Sequence, residues 1–484
     1  MSHNSSTPKN NLLIIPASIK SHVIPAFSIA EKLKLRFKVH FALADEELRH
    51  LVRENGYISI EDDPFRAATC MEWTFVAKHK GKTSFKNIAI AYLSNIIYKH
   101  RKKTMSLLIE SVNPSVVIID IFNITDYPIL FSSHPELKIL FYNPMLSTYK
   151  VNGIPAVNEG NWEQEAPMDN PFIYKPLDWF QGFRPFVQEL LHWVLPYQFR
   201  RLVHDSGIGN KEVNYTTFGA IFENVPELIL APAELEFSQK NRRQNQYYLG
   251  LCIDTNRNDA NAADDFQNKW TNILCKKETG KRIVYCSFGT YYNASNQVLG
   301  AFLLKLLEAI TKIANIQLIC SVHGSLINKT GISPDQYGED IHIFNYVPQL
   351  AVLREACLHI SHGGLGSVKE SICYGVPMLI YPLDLLHDQS GNSSKVEYHG
   401  IGLAGNMELD QVPDIQNKIS KLLTNESFLD SILLLRKTIE SNESYSENYL
   451  TKLFTNKFGI QHEADLPQAQ LFLGQPDDGQ NRKK

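Results

Sequence analysis

Residues 358–392 read LHISHGGLGSVKESICYGVPMLIYPLDLLHDQSGN. A short apolar run ends at His362, three glycines follow within four positions, and helical spacing resumes. This pattern predicts a strand, a tight turn and a helix opening near Ser367. Such a junction aims backbone N–H groups and the positive end of the helix at one point, which suits an anion such as phosphate. Gly363, Gly364 and Gly366 carry no side chains to block close approach. Ser367 could bond a phosphate oxygen, and Glu370, one turn deeper on the same face, could accept ribose hydroxyls. An equally weighted alternative is that Ser367 and Glu370 form a plain capping box and the glycines merely turn the chain.

Working outward, apolar runs recur with helical stretches between them. The C-terminal half has strand-like runs at 283–288, 317–322, 342–344, 359–362 and 378–381, with a helix expected over 297–314. The N-terminal half repeats the scheme at 11–17, 38–42, 116–120 and 139–142, with a helix over 25–35. Runs of this kind belong to buried parallel sheets. We therefore expect an α/β protein of two Rossmann-like, doubly wound domains facing across a cleft. The expected division is an N-terminal domain over 1–250, a linker over 251–265, a C-terminal domain over 266–445, a helix over 446–463 that returns to the N-terminal domain, and a disordered tail over 464–484. Two helical insertions are expected in the first domain, at about 70–112 and 161–203. The second is unusually aromatic, from Trp162 to Phe199. It reads as a flap packing its own rings, as a wall of an apolar pocket, or as an interfacial membrane contact.

The chain has 484 residues, 44% hydrophobic and 20% charged, with a formal net charge of −3. That balance excludes wholesale disorder and lacks the basic footprint of a nucleic-acid binder. The short basic cluster at His100–Lys103 reads as a solvated helix end. Seven scattered cysteines with no CxxC argue against a disulfide framework or structural zinc. The first ten residues are polar, and no run approaches the ~20 apolar residues of a membrane span. A cytoplasmic monomer with no membrane span is the expectation. The turn after the first strand, Pro16–His22, holds no glycine, and Gly280-Lys281 lacks P-loop spacing, so neither dinucleotide nor ATP chemistry is supported.

The segment from Tyr346 to Asn392 resembles the donor-binding signature of UDP-glycosyltransferases with the GT-B fold, a family that includes plant secondary-metabolite and bacterial macrolide enzymes. Tyr346, Val347 and Gln349 stand where the family stacks and hydrogen-bonds uracil. The stretch His362, Gly363, Gly364, Leu365, Gly366, Ser367 is similar to its phosphate turn, and Glu370 to its ribose-binding glutamate. Asp388 and Gln389 correspond to the pair that holds sugar hydroxyls, and the run of Ser287 to Thr290 to a turn closing on the phosphates. The stretch between Pro382 and Asp388 is longer than usual, so Asp384 competes with Asp388. Gly366 replaces an asparagine of the plant enzymes.

The resemblance also implies a base from the other domain. Ser21-His22-Val23-Ile24-Pro25 is similar to the family's histidine motif, with serine in place of glycine, and Ile118–Phe122 to the strand end carrying its aspartate. A neutral imidazole can take the proton of an attacking hydroxyl, and a carboxylate on its far nitrogen fixes the tautomer. His22 and Asp120 are the expected pair, Asp126 being a weaker rival to Asp120. The resemblance implies inverting transfer of a hexose, glucose foremost, from a UDP-sugar to a hydroxyl of a small lipophilic or aromatic acceptor. The UDP-sugar would be a co-substrate, and no cofactor or metal is called for. Two other readings share the donor turn: a UDP-sugar epimerase or hydrolase, and a non-catalytic nucleotide-sugar-binding accessory protein.

Overall fold

The structure, a computed structural model, describes residues 10–81, 83–151, 154–160, 185–214, 220–237, 243–255, 264–289, 297–332, 334–384 and 387–454. The aromatic stretch 161–184, Thr290 and the tail 455–484 lie outside them.

In the N-terminal half the chain runs β1 (Asn10–Ile15), α1 (Lys20–Leu33), β2 (Phe37–Leu43), α2 (Glu46–Glu54) and β3 (Ile58–Glu61). Three helices follow, α3 (Glu72–Lys80), α4 (Phe85–Leu93) and α5 (Ile96–Val112). Then come β4 (Pro114–Asp120), α6 (Asp126–Ser133), β5 (Lys138–Asn143), α7 (Pro185–Asp205), β6 (Val213–Asn214), β7 (Ile221–Phe222), β8 (Glu227–Ile229) and β9 (Gln246–Tyr248). The β6–β7 pair stands alone as a short antiparallel ribbon. The other seven strands form one sheet in the order β3-β2-β1-β4-β5-β8-β9, every pairing parallel. Leu12, Leu13, Ile14 and Ile15 are fully buried, as an unbroken apolar run covered on both faces must be.

The C-terminal half runs α8 (Asp264–Glu278), β10 (Arg282–Ser287), α9 (Gln297–Thr311), β11 (Ile316–Ser321), α10 (Gly324–Thr330), β12 (Ile341–Phe344), α11 (Gln349–Glu355), β13 (Ala356–Ser361), α12 (Leu365–Tyr374), β14 (Met378–Ile380), α13 (Gln389–Tyr398), β15 (Gly402–Ala404), α14 (Val412–Thr424) and α15 (Ser427–Lys452). Its six strands are again all parallel, ordered β12-β11-β10-β13-β14-β15. In each sheet the order reverses once, between β1 and β4 and between β10 and β13. Open parallel sheets bind ligands beyond the strand ends at such points.

The halves share an apolar seam in which Met145, Leu146, Ile229 and Leu235 pack with Leu365, Val368 and Ile372 of α12. A buried lysine fastens it: Lys369 Nζ donates to Leu230 O at 2.6 Å. Of the helix expected at 446–463, residues 446–452 are the end of α15, a 26-residue helix that starts in the C-terminal half, and residues 455–463 lie outside the described residues. Beyond it Phe454 packs against Phe37, ring centres 5.5 Å apart, so the chain does return to the first sheet.

Candidate active site

His22 sits in the first turn of α1, just beyond β1, and Asp120 is the last residue of β4. The two strands are neighbours at the reversal of the first sheet, so the side chains meet. His22 Nδ1 and Asp120 Oδ2 are 2.8 Å apart, with His22 6% exposed and Asp120 fully buried. Asp120 also accepts from the Ala17 amide at 3.1 Å and the Phe122 amide at 2.9 Å. Asn123 Nδ2 donates to Pro16 O at 2.8 Å, Tyr142 OH to His22 O at 3.2 Å, and the Phe122 ring lies 4.4 Å from the imidazole. These contacts over-determine the imidazole's position and leave Nε2 as the nitrogen not bound to Asp120. The rival Asp126 is engaged elsewhere: fully buried, it accepts from Arg101 at 2.8 and 2.7 Å.

The first sheet also carries a cavity of about 370 Å³ lined by Ser18, Ala44, Asp45, Pro64, Arg66 and Asn123. Ser18 and Asn123 belong to the two turns that hold the pair, so the cavity borders it.

Across the seam, His362 follows β13 and Gly289 follows β10, at the reversal of the second sheet. The His362 ring lies between two glycines. A Cβ on Gly289 would fall 2.7 Å from its Cε1, and one on Gly364 would fall 2.6 Å from its Nε2. Gly363 has φ +81°, and a Cβ there would strike Ile380 at 2.6 Å. All three positions therefore exclude a side chain for steric reasons. Burial pushes the His362 imidazole down to about 4, so it is neutral at ordinary pH.

Helix α12 opens at Leu365, two residues before the expected start, with Gly364 as its N-cap and no side chain capping it. Ser367 is thus the third helical residue, and the capping-box alternative for Ser367 and Glu370 is excluded. The first-turn amides of a helix have no partner within it, and here they follow His362 directly in the chain, the arrangement that favours an anion. Gly366 is exposed and a Cβ there would meet nothing within 4 Å, so the fold itself does not require glycine at this position.

Glu370 is buried and held by Gln349, whose Nε2 donates to Glu370 Oε2. Gln349 Oε1 in turn accepts from Tyr285 OH at 3.1 Å. Ser287 Oγ bonds His359 Nε2 at 3.0 Å, and His359 Nδ1 meets Ser371 Oγ at 2.7 Å. Tyr285, His359 and Ser371 were missed as functional support. The available signal was a histidine and a serine in the apolar strand-and-helix run, but the link needs β10 beside β13. Tyr346 is half-buried, while the Val347 side chain belongs to the core with Phe344 and Tyr285. Val347 could therefore offer a ligand only its backbone.

Gln389 Oε1 accepts from the amides of Leu383 and Asp384 at 2.8 and 3.0 Å, closing the loop before α13. Asp384 is paired with His387 at 2.6 Å. Asp388 takes a hydrogen bond from Asn392 Nδ2 at 2.9 Å, and that amide also reaches Gly363 O. Desolvation raises the Asp388 carboxyl above its usual range. The Asn392 bond opposes this, as does the neighbouring His387. Among the described residues no cluster of His, Cys, Asp or Glu could hold a metal ion, and no helix is long and apolar enough to cross a membrane.

Residues 270–442 match the family model described as UDP-glucoronosyl and UDP-glucosyl transferase. The chain is 26% identical over 375 residues, 75% of its length, to the putative UDP-glucuronosyltransferase ugt-50 of Caenorhabditis elegans, and it spans 66% of that protein's length. Among solved structures, the glycosyltransferase of kitacinnamycin superposes with a TM-score of 0.62 at 14% identity, covering 92% of this chain and 99% of that one. The UDP-glucose: anthocyanidin 3-O-glucosyltransferase in complex with UDP also gives 0.62 at 14%, covering 93% and 100%.

Proposed function

We propose that the chain is a UDP-glycosyltransferase with the GT-B fold and that it transfers a hexose, glucose foremost, from a UDP-sugar to a hydroxyl of a small lipophilic or aromatic acceptor. The observation that carries this reading is the His22–Asp120 pair at the reversal of one sheet and the glycine-flanked His362 turn at the reversal of the other, in halves that pack against each other along α12.

In the proposed reaction the acceptor hydroxyl loses its proton to His22 Nε2 as its oxygen attacks the anomeric carbon. Nδ1–H donates to Asp120, which stabilises the imidazolium that forms. The bond from the anomeric carbon to the diphosphate breaks, and its electron pair leaves on UDP. The amides opening α12 face that growing negative charge. One displacement from the face opposite the leaving group inverts the anomeric centre. Glu370, held by Gln349, would accept the ribose hydroxyls, and Asp388 and Gln389 the sugar hydroxyls. Tyr346 would stack on the base. No metal or cofactor is needed in this scheme.

The cavity beside the pair supports an acceptor of modest size. Incubation with UDP-glucose and a panel of phenolic and polyketide alcohols, read by mass spectrometry, tests the proposal. Glycosides are expected. Isomerised or hydrolysed donor without glycoside would favour the epimerase or hydrolase reading, and nucleotide binding without turnover the accessory-protein reading.

A further inference from the structure

Residues 73–109 contain eight Lys or Arg and no Asp or Glu, in a chain whose net charge is −3. They make up most of the helical layer α3–α5, whose two carboxylates, buried Glu72 and exposed Glu110, stand just outside the stretch, and nothing in the transfer scheme uses its outer surface. Arg101 is buried and paired with Asp62 and Asp126. Lys78, Lys86, Lys99, Lys102 and Lys103 are exposed.

Helix α4 is well formed, Ser84 capping it by accepting the Asn87 amide at 3.2 Å, and it buries Ala91. Its opposite face presents Lys86, Ile90 and Leu93, spaced four and three residues apart, with Phe85 at the first turn. Phe85 is 87% exposed and Leu93 80%. The neighbouring α5 turns Lys99 and Lys103, one turn apart, to solvent. Large apolar side chains this exposed are costly in water and mark a surface that is covered in use.

We propose that the outer face of α3–α5 is a docking surface for an anionic lipid bilayer. The occupant follows from charge: exposed apolar side chains on a layer that turns five lysines to solvent and, of its carboxylates, only Glu110, match the boundary between acyl chains and anionic headgroups. A protein partner would ordinarily meet a mixed-charge rim. The layer also borders the cavity beside His22, since Phe65 packs on Phe75 of α3 at 5.0 Å and the adjacent Arg66 lines the cavity. Docking would bring that cavity to the membrane surface, where lipophilic alcohols concentrate. The basic cluster read from sequence as a solvated helix end thereby becomes part of a contact surface.

Full-length protein floated with phosphatidylcholine vesicles, with and without phosphatidylglycerol, tests this. The protein is expected to rise with the anionic vesicles only, and less so as salt increases. F85S/L93S, which removes buried apolar area, and K86Q/K99Q/K103Q, which removes attraction to anionic headgroups, are each expected to cut partitioning by about ten-fold or more. UDP affinity should stay unchanged in both, which shows that they fold. Failure of the wild type to float with anionic vesicles overturns the proposal, as do variants that float as well as wild type. So does loss, in the variants, of a complex with a soluble protein when no vesicle is bound. None of these outcomes depends on sugar transfer.

Discussion

His22 Nδ1 lies 2.8 Å from Asp120 Oδ2, although 98 residues separate them in the chain. The parallel pairing of β1 with β4 makes the contact, and the amides of Ala17 and Phe122 hold the carboxylate in place. A carboxylate so fixed orients the imidazole more than it reacts. The two residues therefore have separable roles.

His22→Ala should lower transfer by about 10²–10⁴-fold, the usual contribution of a positioned general base. UDP affinity by calorimetry should be unchanged, because the nucleotide is expected in the other half. Asp120→Asn should retain the geometry but lose imidazolium stabilisation, lowering kcat with little change in acceptor KM. Near wild-type kcat in His22→Ala would remove His22 from the reaction.

Gly364→Ala is a clean steric test of the donor turn. Gly364 has φ −58°, an ordinary value, so alanine adds no backbone strain there. Its methyl would nevertheless fall 2.6 Å from His362 Nε2 and must displace the ring. UDP affinity is expected to fall at least ten-fold, about 1.4 kcal/mol. Gly366→Ala, where a Cβ meets open space, should fold normally and lose affinity only if the nucleotide passes close by. Equal, unimpaired affinities in both variants would move the diphosphate away from this turn.

The strands, the alternation with helices and the glycine turn were legible because each is local: an apolar run, a breaker, a period of 3.6. The start of α12 was not. Gly364 takes the extended N-cap conformation (φ −58°, ψ 134°) that serine usually serves, so the helix begins before the residue that composition favours. The choice between Asp120 and Asp126 was also beyond local reading. Arg101, on a different helix, claims Asp126, and only the folded chain brings them together. The buried chain from Glu370 through Gln349 to Tyr285, and the Ser287–His359–Ser371 bonds beside it, likewise need β10 and β13 side by side. Thr290 and most of the aromatic insertion lie outside the described residues.

Asp388 is held in an environment that disfavours its charge. Desolvation raises its carboxyl, so the group weakens the empty protein as pH rises from about 3.8 through the raised value. Sugar hydroxyls donating to it would relieve that penalty. Asp388→Asn is therefore expected to stabilise the empty protein and to raise the KM for UDP-sugar by about ten-fold or more. The inhibition constant of UDP alone should not change. A parallel loss of UDP affinity would place Asp388 on the nucleotide instead of the sugar. Asp384→Asn, altering the partner of His387, serves as the comparison.

Buried histidines make the donor half acid-sensitive. Desolvation pushes His359 down to about 3 and His362 to about 4, against 6.5 for an unburied imidazole. Their folded values lie below the unfolded one, so the unfolded chain binds more protons between the two. The stability they contribute is fully present above about pH 6.5 and is lost as pH falls toward 4 and 3. Each buried imidazole should cost on the order of 2 kcal/mol of stability between about pH 6.5 and pH 5, since a tenfold rise in proton activity is worth about 1.4 kcal/mol. Urea midpoints should therefore stay level above about pH 6.5 and drop steadily from there to pH 5. His359→Gln keeps a donor and an acceptor for Ser287 and Ser371 but cannot take up a proton. It should flatten the slope even if it lowers stability at neutral pH. A slope identical to wild type would mean that His359 is not the group titrating, and that the acid sensitivity arises elsewhere in the half.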